Sequence, residues 1–238
     1  MRLSLSAGHG YFTSGKRAPD ESMREGEFNS AVVSKMVNLF YEKHQKVEIL
    51  RLDDSTGKTD IPLSVRATQS NNFKADFHLD VHANAYGTTF NTARGIETYI
   101  YNSIEDGSLT WNIARHIHDS LIINTGMINR GLKQEGFYML KETNAPAVLV
   151  ECGFMTNLQD LALLKSDDYR ALVARTLVDA IADSFKIANN DIFHSVAPGE
   201  TFWRIANLHG MRVEQLKKIN PGISDPSRIY PGQKIRVR

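Results

Sequence analysis

The chain has 238 residues, 42% of them hydrophobic and 23% charged, with a net charge of +1 at neutral pH. That balance excludes a disordered or fibrous chain, and the length allows one sizeable core plus a minor domain, since single domains commonly hold about 100 to 200 residues. The single cysteine, Cys152, excludes an internal disulfide and a thiolate-cluster metal centre, so any bound metal must be held by histidine and carboxylate.

No apolar run reaches the roughly 18 residues that span a bilayer, and the opening MRLSLS lacks the charged-then-apolar pattern of a leader. Neither a signal peptide nor a membrane anchor is therefore expected. The charge is unevenly placed: residues 193–238 hold eight basic residues against three acids, a net of +5, which leaves −4 for the remainder. A basic tail is drawn to anionic surfaces, and charge alone leaves wall polymer, nucleic acid and lipid open.

In chain order, Arg2 to Ser6 alternates polar and apolar residues and runs into Ala7-Gly8-His9-Gly10, a strand ending in a glycine-flanked turn with His9 at its carboxyl end. Phe28, Val32, Met36, Leu39 and Phe40 recur at helical spacing, and Val47 to Leu52 reads as a second strand. A helix over Leu63 to Phe73 precedes a strand over Asp76 to Val81, which delivers His82-Ala83-Asn84 just past its end. Strands follow at Ile96 to Tyr101, Phe137 to Lys141 and Val148 to Val150, with helices over Leu109 to Ile123 and Tyr169 to Phe185. Such alternation predicts an α/β domain, a mostly parallel twisted sheet with helices on both faces, whose ligands gather at the carboxyl ends of the strands. His9, His82 and Glu151 all fall at such ends. The turn-forming Ala188-Asn189-Asn190-Asp191 breaks the pattern, so the expected division is a domain at 1–187, a linker at 188–192 and a second domain at 193–238.

A catalytic zinc needs about three His or carboxylate ligands and an open position for water. His9 and His82 qualify, with an acid from the segment holding Glu21, Glu25 and Glu27; equally, those acids suit a helix N-terminus and His9 suits a turn. Glu151 follows the apolar run 147–150, and a carboxylate buried there needs a cation, a metal-bound water or a proton to compensate it. His78 shares the strand face of His82 but lies deeper. In Arg115-His116-Ile117-His118-Asp119 the buried stripe Ile113, Ile117 and Leu121 separates the two histidines, so both are expected on solvated helix surface. No GxSxG elbow, HExxH helix, Walker loop or dinucleotide fingerprint occurs.

The motifs AGHG, MREGEFN, VHAN and VLVECGFMTN, spread in this order over residues 1–187, resemble those of the zinc-dependent N-acetylmuramoyl-L-alanine amidases of bacterial autolysins and phage endolysins. The resemblance implies one zinc ion on His9, Glu25 and His82, with Glu151 as general base, hydrolysing the amide between N-acetylmuramic acid and L-alanine in peptidoglycan. It departs from the family at Ser6-Ala7, where an acid or proline is frequent, and at Asp80, where serine is usual. Asn84, Arg130 and Lys133 are expected to contact substrate, cations being suited to an acidic peptide stem.

Residues 193–238 resemble a LysM domain, which implies a βααβ fold and binding to N-acetylglucosamine-containing glycans. Local signals agree: strands at Phe193 to Val196 and Lys234 to Val237, a helix capped by Thr201 with Ile205 and Leu208 inward, and a helix over Val213 to Ile219. The family's glycan groove maps onto Gly199, Glu200, Thr201, Phe202, Ile219, Asn220 and Pro221; Phe202 and Ile219 serve equally well as core. The expected protein is a peptidoglycan hydrolase, a phage endolysin held in the host cytoplasm until it reaches the wall, or else a secreted bacterial autolysin or sporulation amidase. A stem-cutting metallopeptidase and a non-catalytic wall-binding protein are the remaining alternatives, and neither nucleic acid nor membrane is an expected partner.

Overall fold

The computed structural model describes residues 1–238 apart from Gln45, Asp191 and Arg238. The expected linker thus includes one residue, Asp191, outside the described residues, and so does the expected tail domain, Arg238. The chain divides into two compact units, Met1–Ile187 and Ala188–Arg238.

The first unit runs β1 (Arg2–Ala7), α1 (Glu25–Lys43), β2 (Glu48–Arg51), α2 (Leu63–Phe73), β3 (Phe77–Asn84), β4 (Ile96–Ile100), α3 (Leu109–Thr125), β5 (Asn129–Gln134), α4 (Tyr138–Glu142), β6 (Ala147–Phe154), α5 (Leu158–Lys165) and α6 (Asp167–Ser184). Its six-stranded sheet has the order β2-β1-β3-β6-β4-β5. Parallel pairing links β2, β1, β3 and β6, while β4 lies antiparallel to β6 and parallel to β5. The expectation of a mostly parallel sheet holds, with β4 and β5 reversed.

Because side chains alternate along a strand, each strand divides its residues between two unlike faces. Leu3, Leu5 and Ala7, Phe77, Leu79, Val81 and Ala83, and Val148, Val150 and Cys152 join the main core with the buried stripes of α1, α3 and α6. Phe28, Val32, Met36 and Phe40 repeat every four residues, which makes α1 amphipathic and seats it on that face. The Ser108 side chain caps α3 by accepting from Trp111 N, and Gly126 ends it in the left-handed region.

The opposite face carries Ser4, Ser6, His78, Asp80, His82, Asn84, Glu97 and Glu151, a polar row across four adjacent strands. The smaller clusters of α2 and α4 pack on this face, around Leu52, Ala67 and Met139 and around Leu140, Ala147 and Leu149. The functional site lies in that row.

Two expectations are corrected. Phe137 to Lys141 is not a strand: Lys141 N donates to Phe137 O and the segment closes as α4, which buries the consecutive Met139 and Leu140. Its aromatic composition mimicked a strand, but one-sided cover decided the conformation. Glu151 and His82 lie inside β6 and β3, not beyond their ends, because both strands run on, to Phe154 and Asn84. Helix α5 had no counterpart in the sequence reading; Asn157 caps it by accepting from Gln159 N and Asp160 N.

In the second unit, β7 (Phe193–Ser195) pairs antiparallel with β8 (Lys234–Arg236). Helices α7 (Phe202–Leu208) and α8 (Val213–Ile219) lie between them in sequence, the expected βααβ order. Val196, Phe202, Ile205, Ala206, Leu216, Ile235 and Val237 form its core. Leu208, expected inward, is 64% exposed, since it begins the turn that ends α7.

Candidate active site

The turn after β1 places His9 in the left-handed region, at φ 58, a conformation a non-glycine residue adopts only when its surroundings hold it there. Two glycines permit the arrangement. A Cβ on Gly8 would lie 2.0 Å from the His82 ring, and one on Gly26 would lie 2.9 Å from the Gly10 backbone, so the turn, the start of α1 and the end of β3 approach as only glycine allows.

His9, Glu25 and His82 thereby present ligand atoms that all lie within 4.8 Å of one another. His82 Nδ1 is 2.9 Å from Glu25 Oε1, and His9 Nε2 is 3.7 Å from Glu25 Oε2. Glu25, the first residue of α1, is buried, and Asn29 Nδ2 on the next turn donates to its Oε1 and to Gly8 O. Glu27 points elsewhere, 3.4 Å from Arg170. Two imidazoles and one carboxylate converging at a cavity suit a zinc-type ion.

Charges in the cluster are strongly coupled. Burial disfavours protonation of His82, but the hydrogen bond and charge of Glu25, aided by Glu151 and Asp80, outweigh it and raise the pKa to about 9. Burial also opposes ionisation of Glu25, yet the His82 hydrogen bond and charge, with His9 and Lys16, hold its carboxyl below the usual range. His9 falls to about 4, by burial first and then the charges of His82 and Lys16, so it is a neutral imidazole ready to donate a lone pair.

Glu151 pairs with His82 across the β3–β6 ladder. Its Oε2 is buried without a hydrogen-bond partner. Burial, reinforced by Glu25 and Glu97 and opposed by His82 and Lys16, pushes its pKa up to about 8. A carboxyl of that kind exchanges a proton near neutrality.

Both lie on a cavity of about 580 Å³ whose lining includes His9, Lys16, Asp60, Arg66, His82, Tyr138 and Glu151. Several of these carried no signal in the sequence. Buried Arg66 donates to Ser6 Oγ, Ala7 O, Ile61 O and Asp60 Oδ1, which fixes the end of β1; Asp60 Oδ2 lies 3.9 Å from His9 Nδ1. Lys16 Nζ stands 3.8 Å from Glu25 Oε2.

Residues 3–183 match the family described as N-acetylmuramoyl-L-alanine amidase. The chain belongs to that family. Over 192 residues it is 29% identical to the amidase CwlM of Bacillus licheniformis, covering 80% of this chain and 71% of the relative. It is 31% identical over 182 residues to an endolysin of Bacillus phage SPP1, covering 75% and 64%. The catalytic domain of the amidase CwlV from Bacillus (Paenibacillus) polymyxa var. colistinus superposes with a TM-score of 0.70 at 27% identity, covering 78% of this chain and 98% of that one. An amidase from Clostridium difficile 630 gives 0.71, also at 27% identity, over 78% and 96%. Residues 194–238 match the LysM domain.

Within the amidase unit, the two positions that depart from the family pattern are neighbours. Ser6 and Asp80 are register partners, and burial of Asp80 is outweighed by His78, His82 and the Ser6 hydroxyl, which hold its pKa at about 2. His78 is engaged by Ser4 at Nδ1 and lies 3.2 Å from Asp80 at Nε2, and it is not part of the ligand trio. His118 corrects the sequence reading: it is fully buried, with ring nitrogens against Thr98 Oγ1 and Asn129 Oδ1, while His116 is exposed. The helical stripe is wider than three residues, and β4 and β5 supply polar partners beneath it.

Asn84, Arg130 and Lys133 do not line the cavity directly. All three donate to buried Glu97, Asn84 Nδ2 to Oε2 at 2.8 Å and the two cations to Oε1 at 2.7 and 2.6 Å. Glu97 escaped notice because β4 is reversed, so a residue near the strand's beginning sits at the edge where the other strands end.

In the LysM unit, Phe202 is core and Asn220 is 9% exposed, tying α8 to β8 through Leu216 O, Arg236 O and Arg236 N. Thr201 caps α7, and Glu200 accepts from Ala197 N and faces His194 Nε2. Gly199 and Pro221 are exposed and Ile219 half-buried. Trp203 and Tyr230, unremarked in the sequence, are 66% and 65% exposed.

Proposed function

We propose that the chain hydrolyses the amide between the lactyl group of N-acetylmuramic acid and L-alanine in peptidoglycan, with one zinc ion held by His9, Glu25 and His82. The observation that carries this reading is the meeting of those three residues beside a buried carboxylate oxygen of Glu151 that no group among the described residues satisfies. A zinc ion in that trio would polarise the scissile carbonyl and acidify a water. Glu151 would take a proton from the attacking water and return it to the leaving nitrogen, a role that a pKa shifted toward neutrality suits. Glu25 holds His82 by a hydrogen bond and stands 3.7 Å from His9, and Asn29 fixes Glu25. Asn84, Arg130 and Lys133 converge on Glu97, one strand beyond Glu151, and border the substrate there.

Residues 1–187 form the amidase domain in this reading, 188–192 the linker and 193–238 the wall-binding domain, with Gly199, Glu200, Thr201, Phe202, Ile219, Asn220 and Pro221 along the glycan groove. Gly199 and Pro221 offer surface there; Phe202 and Asn220 support it from within. The site of action is the cell wall, and no helix among the described residues is long and apolar enough to cross a membrane. Our reading is an endolysin, with autolysis or sporulation as the alternative; the relatives include the SPP1 endolysin and also a sporulation-specific amidase and LytC of Bacillus subtilis.

Purified protein incubated with isolated walls provides the test. New alanine amino termini are expected, and are expected to vanish with Glu151→Gln. Fragments cut within the stem, with the sugar amide intact, would instead identify a metallopeptidase.

A further inference from the structure

Glu97 is 3% exposed, yet Arg130 Nε and Lys133 Nζ reach its Oε1 at 2.7 and 2.6 Å, and Asn84 Nδ2 and the Tyr99 hydroxyl reach its Oε2 at 2.8 and 2.6 Å. It stands directly opposite Glu151 in the antiparallel β4–β6 ladder, about 5 Å away between Cβ atoms. The two cations come from β5, one strand further on.

Each cation is also held from the side. The Arg130 guanidinium lies 4.8 Å from the centre of the Phe154 ring, and the Lys133 ammonium 5.8 Å from that of Tyr99. Two like charges drawn to a single oxygen would separate without the carboxylate between them. Glu97 is therefore what keeps them together.

The cluster holds two cations against one anion, and each head has donors to spare. A guanidinium offers five N–H groups and an ammonium three. Among the described residues no second acceptor takes them, and the two side chains keep 35% and 38% of their surface open. Uncharged sugar hydroxyls do not call for an excess positive charge; a carboxylate does.

We propose that Glu97 holds Arg130 and Lys133 as a paired-cation clamp for a free carboxylate of the substrate, carried by the acidic residue that follows alanine in the peptide stem. The proposal rests on the amidase reading above. One extended residue spans about 3.5 Å, so that carboxylate lies roughly 4 to 7 Å from the scissile nitrogen. Arg130 and Lys133 start from β5, two strands from Glu151, but their heads meet at the Glu97 carboxylate on the adjacent strand, about 5 Å from Glu151 and within the same reach. Glu97 is a positioning residue here, and Arg130 and Lys133 set specificity: the enzyme favours stems whose second residue keeps its carboxylate over stems in which it is a carboxamide.

The test uses the full chain loaded with zinc and two soluble muropeptides that differ only in that group. KM is expected to be about tenfold lower for the carboxylate, with kcat within about twofold, as fits hydrogen bonds to a charged group. Arg130→Met and Lys133→Met are expected to raise KM for the carboxylate alone, and Glu97→Gln to do the same by letting the cations separate. Added salt is expected to narrow the preference. Equal KM values in the unaltered protein, with alanine amino termini released from both substrates, overturn the clamp and leave the amidase reading standing. Cleavage of neither substrate overturns the amidase reading and the clamp with it. Retained preference in folded Glu97→Gln overturns the positioning role, and if that variant does not fold, the substrate pair and the two methionine variants still decide.

Discussion

His82 and Glu151 occupy paired positions on adjacent parallel strands, so a residue suited to bind metal and one suited to move a proton are one strand spacing apart. The pairing separates their roles. Glu151→Gln keeps the volume and removes the base, so kcat is expected to fall by about 10²- to 10⁴-fold while bound zinc stays near one per chain. His82→Ala is expected to lose the zinc. Atomic absorption on the purified variants checks both, and loss of zinc from Glu151→Gln would make that residue a ligand.

Protons and metal compete for the same trio. The pKa of His82 is raised from 6.5 to about 9, so its contribution to stability is complete below about pH 6.5 and is lost as pH rises through 9. Glu151, raised to about 8, acts in the same direction, since its buried ionised form opposes folding. Metal-free protein is therefore expected to lose on the order of a few kcal/mol between pH 6.5 and 9. Zinc requires the deprotonated imidazole, so its stabilisation grows over that same window. Melting temperatures with chelator and with zinc, taken at half-unit pH steps, check the opposed slopes; parallel slopes would contradict the coupling.

Gly8 has no room for a methyl group. Because its Cβ would meet the His82 ring at 2.0 Å, Gly8→Ala must displace either the turn or the ring. Zinc affinity is expected to weaken by about tenfold or more, the scale seen when a group that orients a metal ligand is removed. Competition against a chromophoric chelator measures it, with Gly222→Ala, at an open position outside the left-handed region, as the comparison.

The parts of the fold legible in the sequence are those written in one-dimensional periodicity. Helix α2 falls over Leu63–Phe73 as its spacing predicts, and α1 follows its four-residue repeat. The end of β1 was readable because a glycine-flanked histidine is a local signal, whereas His82-Ala83-Asn84 looked like a turn and proved to be the last residues of β3. Choosing Glu25 over Glu27 needed the family resemblance, since at a helix start adjacent acids look alike until Asn29 and His82 engage one of them. Glu97 was invisible for a different reason: its partners Asn84, Arg130 and Lys133 lie 13 to 36 residues away in sequence and meet only because β4 is reversed.

Removing residues 188–238 is expected to leave the first unit folded, because its core draws on that unit alone. Turnover of a soluble muropeptide then stays within about twofold, while activity on intact walls falls by about 10- to 100-fold as the tethering to the wall disappears. Parallel rates on the two substrates check this. An equal loss on both would mean that the second unit supports the catalytic one directly.

His116 and His118 sit two residues apart on α3 with opposite fates, and substitution distinguishes them. His118→Leu leaves the buried Thr98 hydroxyl without its ring partner and deprives Asn129 Oδ1 of one of its two donors, the other being Gly131 N. A loss of about 2 to 3 kcal/mol is expected, the cost of an unsatisfied buried polar group. His116 lies 3.9 Å from Asp183 with both side chains exposed, a pair worth little in water, so His116→Ala is expected to stay within about 0.5 kcal/mol. Urea unfolding followed by far-UV circular dichroism compares the two. Similar midpoints for both variants would return His118 to the solvated surface that the helical stripe first predicted.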